Sequence, residues 1–328
     1  MDVRVGVIGA GIMGTDHARI LHRDVPHATV VVVSDVDEAR AAAVVAGIPG
    51  ASTTADARAV IGSAEVDAVL IASSDDTHAE YVQACLAVGK PVLCEKPLAP
   101  TAAECMTLLE AESETGKSLI SVGFMRRFDP GYVDLKALIR DGSLGVPLIV
   151  HSTGRGVSAP AGSDELSVTG SAIHDLDIVP WLLDTEVVSA SWQAPGSTPH
   201  SQGRTDPQFI LLRTTDGVLV TVDIFLNARY GYDIRCEVVG SASTAALTEP
   251  SRVARDRDLT HGHSYAADWR PRFAEAYRLQ NRAWVESLVQ GTPSPLASAE
   301  DALRAARIAD AVIASMHTDG AWVEVSGE

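Results

Sequence analysis

Val3-Arg-Val-Gly-Val-Ile-Gly-Ala-Gly-Ile-Met-Gly14 decides the fold of this chain. Val3–Ile8 is a short, β-branched run that reads as a strand. A helical pattern reaches from the end of the quoted stretch to Leu21. Between them lies Gly9-Ala10-Gly11-Ile12-Met13-Gly14, a GxGxxG turn. Its first glycine permits a tight turn, its second lets the backbone approach a pyrophosphate, and its third lets helix and strand pack closely. The helix N-terminus then faces the phosphates with free N–H groups. The motif alone is weak, but here it has the strand before it and the helix after it that a dinucleotide site requires. Gly9, Gly11, Ile12, Met13 and Gly14 are therefore candidate cofactor contacts.

A second apolar run, Thr29–Val33, ends at Ser34-Asp35. Asp35 stands about 20 residues past the glycines, where a carboxylate receives the adenine ribose hydroxyls. That carboxylate repels a 2′-phosphate, and Val36-Asp37-Glu38 supply no arginine to welcome one, so NAD is favoured over NADP. The competing reading of Asp35 is an ordinary helix cap, because Asp37-Glu38 open a helix. Helix and strand patterns then alternate: helix Ala55–Ile61, strand Asp67–Ile71, helix Thr77–Val88, strand Val92–Pro97, helix Ala102–Thr115 and strand Ser118–Val122. Such alternation specifies a doubly wound parallel sheet. Ligands of these sheets bind beyond the carboxyl ends of the strands. Ser73, Ser74 and His78 follow one strand end, with His78 either facing the cofactor or serving structure. Thr77 and Glu80 have the spacing of a capping box. Glu95-Lys96-Pro97 follow another strand end and deliver one of four lysines (Lys90, Lys96, Lys117, Lys136) to the crevice.

At 328 residues, with 46% hydrophobic and 21% charged residues, the chain is a globular protein of two domains. Its net charge of −17 argues against nucleic acid or an anionic membrane surface as partner. No apolar run approaches the roughly 20 residues of a membrane span, and no secretory leader is apparent. Cys85, Cys94, Cys105 and Cys236 form no CxxC pair and read as buried, reduced thiols of a cytoplasmic protein.

After Gly123 the pattern changes. A helix over Gly131–Arg140 and a strand over Leu148–Ser152 precede a Gly/Ser/Pro-rich loop, Gly154–Gly162. A helix then spans Ile173–Leu183. Strands follow at Val187–Trp192, Gln208–Thr214, Val218–Asn227, Ile234–Val239 and Thr244–Leu247, with Asp216-Gly217 marking a hairpin turn. Helices over Phe273–Gln290 and Ala299–Met316 close the chain, and one of them is expected to pack back on the first domain. The expected organisation is a Rossmann domain over 1–122 and an α+β domain with a mostly antiparallel open sheet over 123–328. His174 begins the Ile173–Leu183 helix, and Asp177 at i+3 shares its face. A histidine in that apolar setting reads first as a packed core residue, and it becomes a candidate base if hydride transfer is the chemistry. His261-Gly-His263 lacks accompanying ligands, so no metal site is expected. Tyr230 and Tyr232, between two strands, either line a pocket or cap a sheet edge.

Together, Gly9–Gly14, Asp35, Glu95-Lys96-Pro97 and the helix bearing His174 resemble the glucose–fructose oxidoreductase/inositol dehydrogenase family, and within it the inositol branch. Val122–Tyr132, Tyr230–Gly240 and Asp268–Phe273 are similar to long segments of that branch, and the resemblance spans nearly the whole chain. It implies an NAD-dependent dehydrogenase acting on a secondary alcohol of a cyclic polyol or sugar. Lys96 would contact nicotinamide and the substrate hydroxyl, and His174 would be the general base. The Lys96–Pro97 bond would be cis, and the assembly a homotetramer paired through the open sheet faces. Glu95 and Arg126 fall among the implied cofactor contacts. Met125, Gly154, Gly170, Asp177, Tyr230 and Tyr232 fall among the implied substrate contacts. The sequence departs from the family pattern at Gly170, where an aspartate is usual four residues before the histidine, and at Gly154, where inositol enzymes carry histidine. Both changes point to a pocket with fewer polar contacts, with Asp177 orienting the imidazole. Two other readings share the fold: an NAD-dependent glycosidase, which accumulates no NADH, and a non-catalytic NAD sensor, which has no need of Lys96 and His174 together.

Overall fold

A computed structural model describes residues 2–248 and 253–326. The chain divides into two compact units, 1–125 with 275–306, and 126–274 with 307–328. The first unit is built from β1 (Val3–Ile8), α1 (Ile12–Asp24), β2 (Ala28–Ser34), α2 (Glu38–Val45), β3 (Ser52–Thr54), α3 (Ala57–Gly62), β4 (Ala68–Ile71), α4 (His78–Ala87), β5 (Val92–Cys94), α5 (Ala102–Thr115) and β6 (Ile120–Val122). Its six strands are all parallel in the order β3-β2-β1-β4-β5-β6. This is the doubly wound arrangement expected from the alternation. The chain reverses direction of travel across the sheet between β1 and β4, so the crevice for a ligand opens where Gly9 and Ala72 leave those strands. The central strands are apolar on both faces, as a sheet covered twice must be: Val5, Val7, Val69, Leu70, Val92 and Leu93 are buried.

The second unit starts with α6 (Pro130–Arg140), whose N-cap Asp129 accepts from the Tyr132 N–H and whose first residue is proline. Then come β7 (Pro147–Arg155), α7 (Asp164–Ser167), a π-helical turn (Val168–Ala172) and α8 (Ile173–Leu183). Strands β8 (Val187–Gln193), β9 (Gln208–Thr214), β10 (Leu219–Phe225), β11 (Asp233–Gly240) and β12 (Thr244–Ala246) follow. The small hairpin β13 (Arg255–Arg257) and β14 (Thr260–Gly262), helices α9 (Trp269–Gln290) and α10 (Ala299–Met316), and β15 (Val323–Glu324) complete the order. Seven strands form one sheet, β12-β11-β7-β10-β9-β8-β15, antiparallel at every pairing except β10 with β7. Gly217 sits at φ +81° in the β9–β10 turn, a conformation that favours glycine. Along β7, Val150, Ser152 and Gly154 face the buried side while His151 is exposed, which is the period-two alternation of a sheet with one covered face.

Helix α9 leaves helical geometry at Phe273 (φ −112°, ψ 17°), next to the point where the chain passes from one unit to the other. Beyond it, 275–306 belongs to the first unit, where Val122 N–H bonds the Ala297 carbonyl at 2.8 Å. The expected Thr77–Glu80 capping box does not form. A 3₁₀ turn, Asp75–Thr77, precedes α4 and puts Thr77 in helical backbone. Its hydroxyl instead meets Ser73 Oγ and the Ser74 carbonyl, and Glu80 pairs with Arg58. All four cysteines are buried as free thiols. Among the described residues, no helix is long and apolar enough to cross a membrane.

Candidate active site

The glycine turn shows which of its members the protein itself needs. Gly9 has φ +97°, and a Cβ there would lie 2.4 Å from the Ala72 carbonyl oxygen. A Cβ on Gly14 would lie 1.8 Å from the Gly9 carbonyl oxygen. Gly11 differs: nothing lies within 4 Å of where its Cβ would stand. It is the N-cap of α1, has no side chain to satisfy the first N–H groups, and no acidic residue occupies the first turn. Open space at a helix N-terminus with no side-chain cap is a setting suited to an anionic group. Exposed Ile12 and part-buried Met13 begin this helix.

Asp35, at the end of β2, closes onto the same turn. Its Oδ2 accepts the Ala10 N–H at 2.7 Å and its Oδ1 the Asp37 N–H at 2.9 Å. The cap of α2 is Asp37, which accepts from Ala39 and Arg40. Asp35 is thus not the helix cap, and its carboxylate stands beside the glycine turn. Ser73 and Ser74 leave β4, with Ser73 Oγ 2.7 Å from Thr77 Oγ1. His78 is buried as a brace: its Nδ1 lies 2.7 Å from the Pro97 carbonyl oxygen and its Nε2 3.3 Å from that of Ser73.

Glu95 and Lys96 emerge at the end of β5, and the Lys96–Pro97 peptide is cis. Glu95 is buried, with its N–H on the Ile71 carbonyl and its Oε2 3.3 Å from the Lys96 N–H. Burial alone would push its carboxyl up. The bonded His17, together with the charges of Lys96 and His78, outweighs burial and holds it below the usual carboxylate range.

In the second unit, His174 opens α8 directly after the π turn and is half-buried. Ile173, Leu176, Ile178, Val179 and Leu182 anchor the helix in the core. Its two aspartates are both buried and both paired. Asp175 Oδ1 accepts from Arg126 Nη1 and from Ser152 Oγ, each at 2.6 Å, while its Oδ2 is buried with no partner. Asp177 is held by Arg127, at 2.5 Å on Oδ1 and 3.0 Å on Oδ2. Asp177, expected to orient His174, has both carboxylate oxygens bonded by Arg127. Arg126, expected among the cofactor contacts, is the buried cationic partner of Asp175 and lies over the Phe273 ring. Burial opposes its charge, but the Asp175 carboxylate wins and raises its proton affinity further. Met125, the last residue of the first unit's leading segment, is buried.

The two glycines expected to depart from the family pattern are physically unlike. Gly170 lies on the π turn, and a Cβ there would meet only Leu166 Cδ1 at 3.8 Å. Gly154 pairs across the sheet with Ile224 and Ile234. A Cβ there would lie 3.1 Å from Ile224 Cδ1 and 3.6 Å from Asp175 Oδ2. Room has been left at Gly170, whereas at Gly154 two isoleucines have taken it. Tyr230 donates to Asp233 at 2.6 Å and packs edge-on against Tyr265, while Tyr232 packs edge-on against Phe273. His261 is exposed and pairs with Asp256. The sequence reading singled out neither Asp175 nor His17. His17 is a buried polar residue on the inner face of α1, one turn past Gly14, and an unexplained histidine on an apolar helix face is the signal that would have found it.

With this geometry in view, comparison with known proteins decides the family. Residues 3–124 match the NAD-binding Rossmann fold of an oxidoreductase family, and residues 136–325 match its C-terminal alpha/beta domain. The chain belongs to this family. It is similar to inositol 2-dehydrogenase 2 of Paenarthrobacter aurescens, with 48% identity over 99% of each chain. It is also similar to an inositol 2-dehydrogenase of Klebsiella pneumoniae, with 41% identity over 97% of this chain and 95% of that one. Among solved structures of the family, the myo-inositol dehydrogenase of Lactobacillus casei in complex with NAD(H) and myo-inositol superposes with a TM-score of 0.95. It shares 30% identity and covers 100% of this chain and 98% of that one.

Proposed function

We propose that this protein is an NAD-dependent dehydrogenase that oxidises a secondary alcohol of inositol or a closely related cyclic polyol. The observation that carries the reading is the open cradle at Gly11 beside Asp35, in a chain that also bears Glu95-Lys96-Pro97 and His174. Gly9, Gly11 and Gly14 with the start of α1 hold the pyrophosphate, and Asp35 holds the adenine ribose and rejects a 2′-phosphate. NAD supplies the hydride acceptor. His174 takes the hydroxyl proton, a task suited to an imidazole near neutral pH. The Lys96 ammonium holds the same oxygen and stabilises the negative charge that grows on it. The clamped Asp177 leaves His174 to act without an aspartate at position 170.

The narrower substrate follows from the same side chains. An inositol enzyme that carries glycine at 154 and 170 makes fewer hydrogen bonds to hydroxyl groups, and lost polar partners change specificity strongly. Methylated or otherwise substituted inositols therefore join myo-inositol as substrates to test. A cytoplasmic homotetramer is the assembly we propose. It is supported by the half-apolar open face of the second sheet, where Phe209, Leu211, Leu219 and Phe225 stand opposite the buried side.

The test is NADH formation with NAD⁺ and with NADP⁺ across myo-, scyllo- and D-chiro-inositol, methylated inositols, glucose and a few glycosides. Turnover with NAD⁺ and a cyclitol is expected. Lys96→Ala should lower kcat by roughly 100- to 1,000-fold with NAD still bound, and His174→Ala by about 100-fold or more. Sugar released from a glycoside without NADH would replace this reading with the glycosidase.

A further inference from the structure

Behind Lys96 lies a chain of buried polar groups that the reaction as described does not use. His17 is 1% exposed. Its Nε2 lies 2.7 Å from Glu95 Oε1, and its Nδ1 lies 2.9 Å from the side-chain nitrogen of Asn281. The Tyr277 ring meets the imidazole edge-on at 5.6 Å between centroids. Asn281 and Tyr277 come from the part of α9 that belongs to the first unit, so three distant stretches of one unit converge here. Glu95 has no freedom on its other side: a Cβ on Gly123 would stand 3.0 Å from its Oε1.

Hydrogen-bond chemistry fixes the protons along this chain. An amide NH₂ only donates, so Nδ1 of His17 accepts and carries no proton. The ring proton then sits on Nε2 and is donated to Glu95. With the Asn281 amide nitrogen on Nδ1, His17 presents its Nε2–H to Glu95. That bond orients the carboxylate beside the neighbouring lysine. The other groups that act on this carboxylate are His78 from α4 and the adjoining Cys94, whose thiol is held protonated by burial.

We infer that His17, set by Asn281, is a positioning residue for Lys96. It locks the Glu95 carboxylate, and that carboxylate fixes where the neighbouring lysine stands. The inference rests on the proposed role of Lys96 in the reaction. It assigns a function to a histidine buried beneath the cofactor turn that never touches the substrate.

Two measurements test it. Imidazole ¹⁵N NMR of the cofactor-free protein should show the His17 proton on Nε2 and none on Nδ1; a proton on Nδ1 overturns the inference. The second is kinetic. His17→Leu should lower kcat by about 100-fold, the scale of a misplaced catalytic group, with NAD affinity unchanged. His17→Gln, whose amide N–H can replace Nε2–H, should recover most of the loss. In a Lys96→Ala background His17→Leu should add nothing, because both act through one group. Additive losses, or a fall in NAD affinity matching the fall in kcat, would mean that His17 only supports α1. Normal turnover in Lys96→Ala would remove the role of Lys96 itself. A slow Lys96→Ala beside a His17→Leu that turns over like the wild type would overturn this inference alone.

Discussion

The glycine turn of the first unit and the His174 helix of the second, to which the proposed reaction gives different tasks, are held by opposite means. At the turn, the backbone is the constraint. At Gly9 and Gly14 a carbonyl oxygen occupies the place of a side chain, while at Gly11 the place is open, as the proposed cofactor contact requires. Around His174, side chains are the constraint. Asp175 is fixed by Arg126 and Ser152, and Asp177 by Arg127, from positions far away in the sequence. A backbone constraint tolerates no substitution and prints a motif. A side-chain constraint is a set of pairings, and it can be rearranged while the fold stays the same. The departures at Gly154 and Gly170 fall in the second region, where rearrangement is possible.

The sharpest challenge to that contrast is to break one pairing. Asp175→Ala leaves the buried Arg126 guanidinium without its carboxylate, and it should destabilise the protein by about 3–5 kcal/mol in urea unfolding. Asp175→Asn, which keeps an acceptor for Arg126 and Ser152, should cost less. If both substitutions were harmless, pairings would not be what holds this helix.

A smaller effect separates the glycines. Gly14→Ala drives a Cβ into the Gly9 carbonyl and should cost about 3 kcal/mol or more. Gly11→Ala meets no protein atom and should keep its stability within about 0.5 kcal/mol while losing NAD affinity by isothermal titration. Equal losses of stability in the two variants would dissolve the distinction between a packing glycine and a ligand glycine.

The mildest prediction concerns specificity. Gly170→Asp places a carboxylate in open space and should fold like the wild type while shifting kcat/KM toward unsubstituted inositols. Gly154→His has to displace Ile224 and should lower the melting temperature. An unchanged substrate profile in Gly170→Asp would count against a role for that position in recognition.

What could be read from sequence follows the same division. The doubly wound sheet, the helices Ala102–Thr115 and Ala299–Met316 and the strand Gln208–Thr214 appear with the expected bounds, because each is a long periodic run or is bounded by turn residues. β3, β13, β14 and β15 are two or three residues long and mostly exposed, so no apolar period announces them. The π turn before α8 was equally silent. Asp35 stood out by spacing alone, whereas its bond to the Ala10 N–H did not. The partners of Asp175 were not legible, since Arg126 lies 49 residues away and only the folded chain brings them together. His17 escaped notice for a related reason: its partners Glu95 and Asn281 lie 78 and 264 residues distant.

The central claim is that this chain removes a hydride from a ring carbon bearing a secondary alcohol. The most direct measurement supplies NAD⁺ with myo-inositol, and in parallel a methylated inositol, deuterated at the carbinol carbons. The NADH formed is then examined by mass spectrometry. The account predicts NADH carrying one deuterium, formed by the wild type and scarcely at all by Lys96→Ala or His174→Ala. NAD that binds at the glycine turn but never gains deuterium from any cyclitol would contradict it.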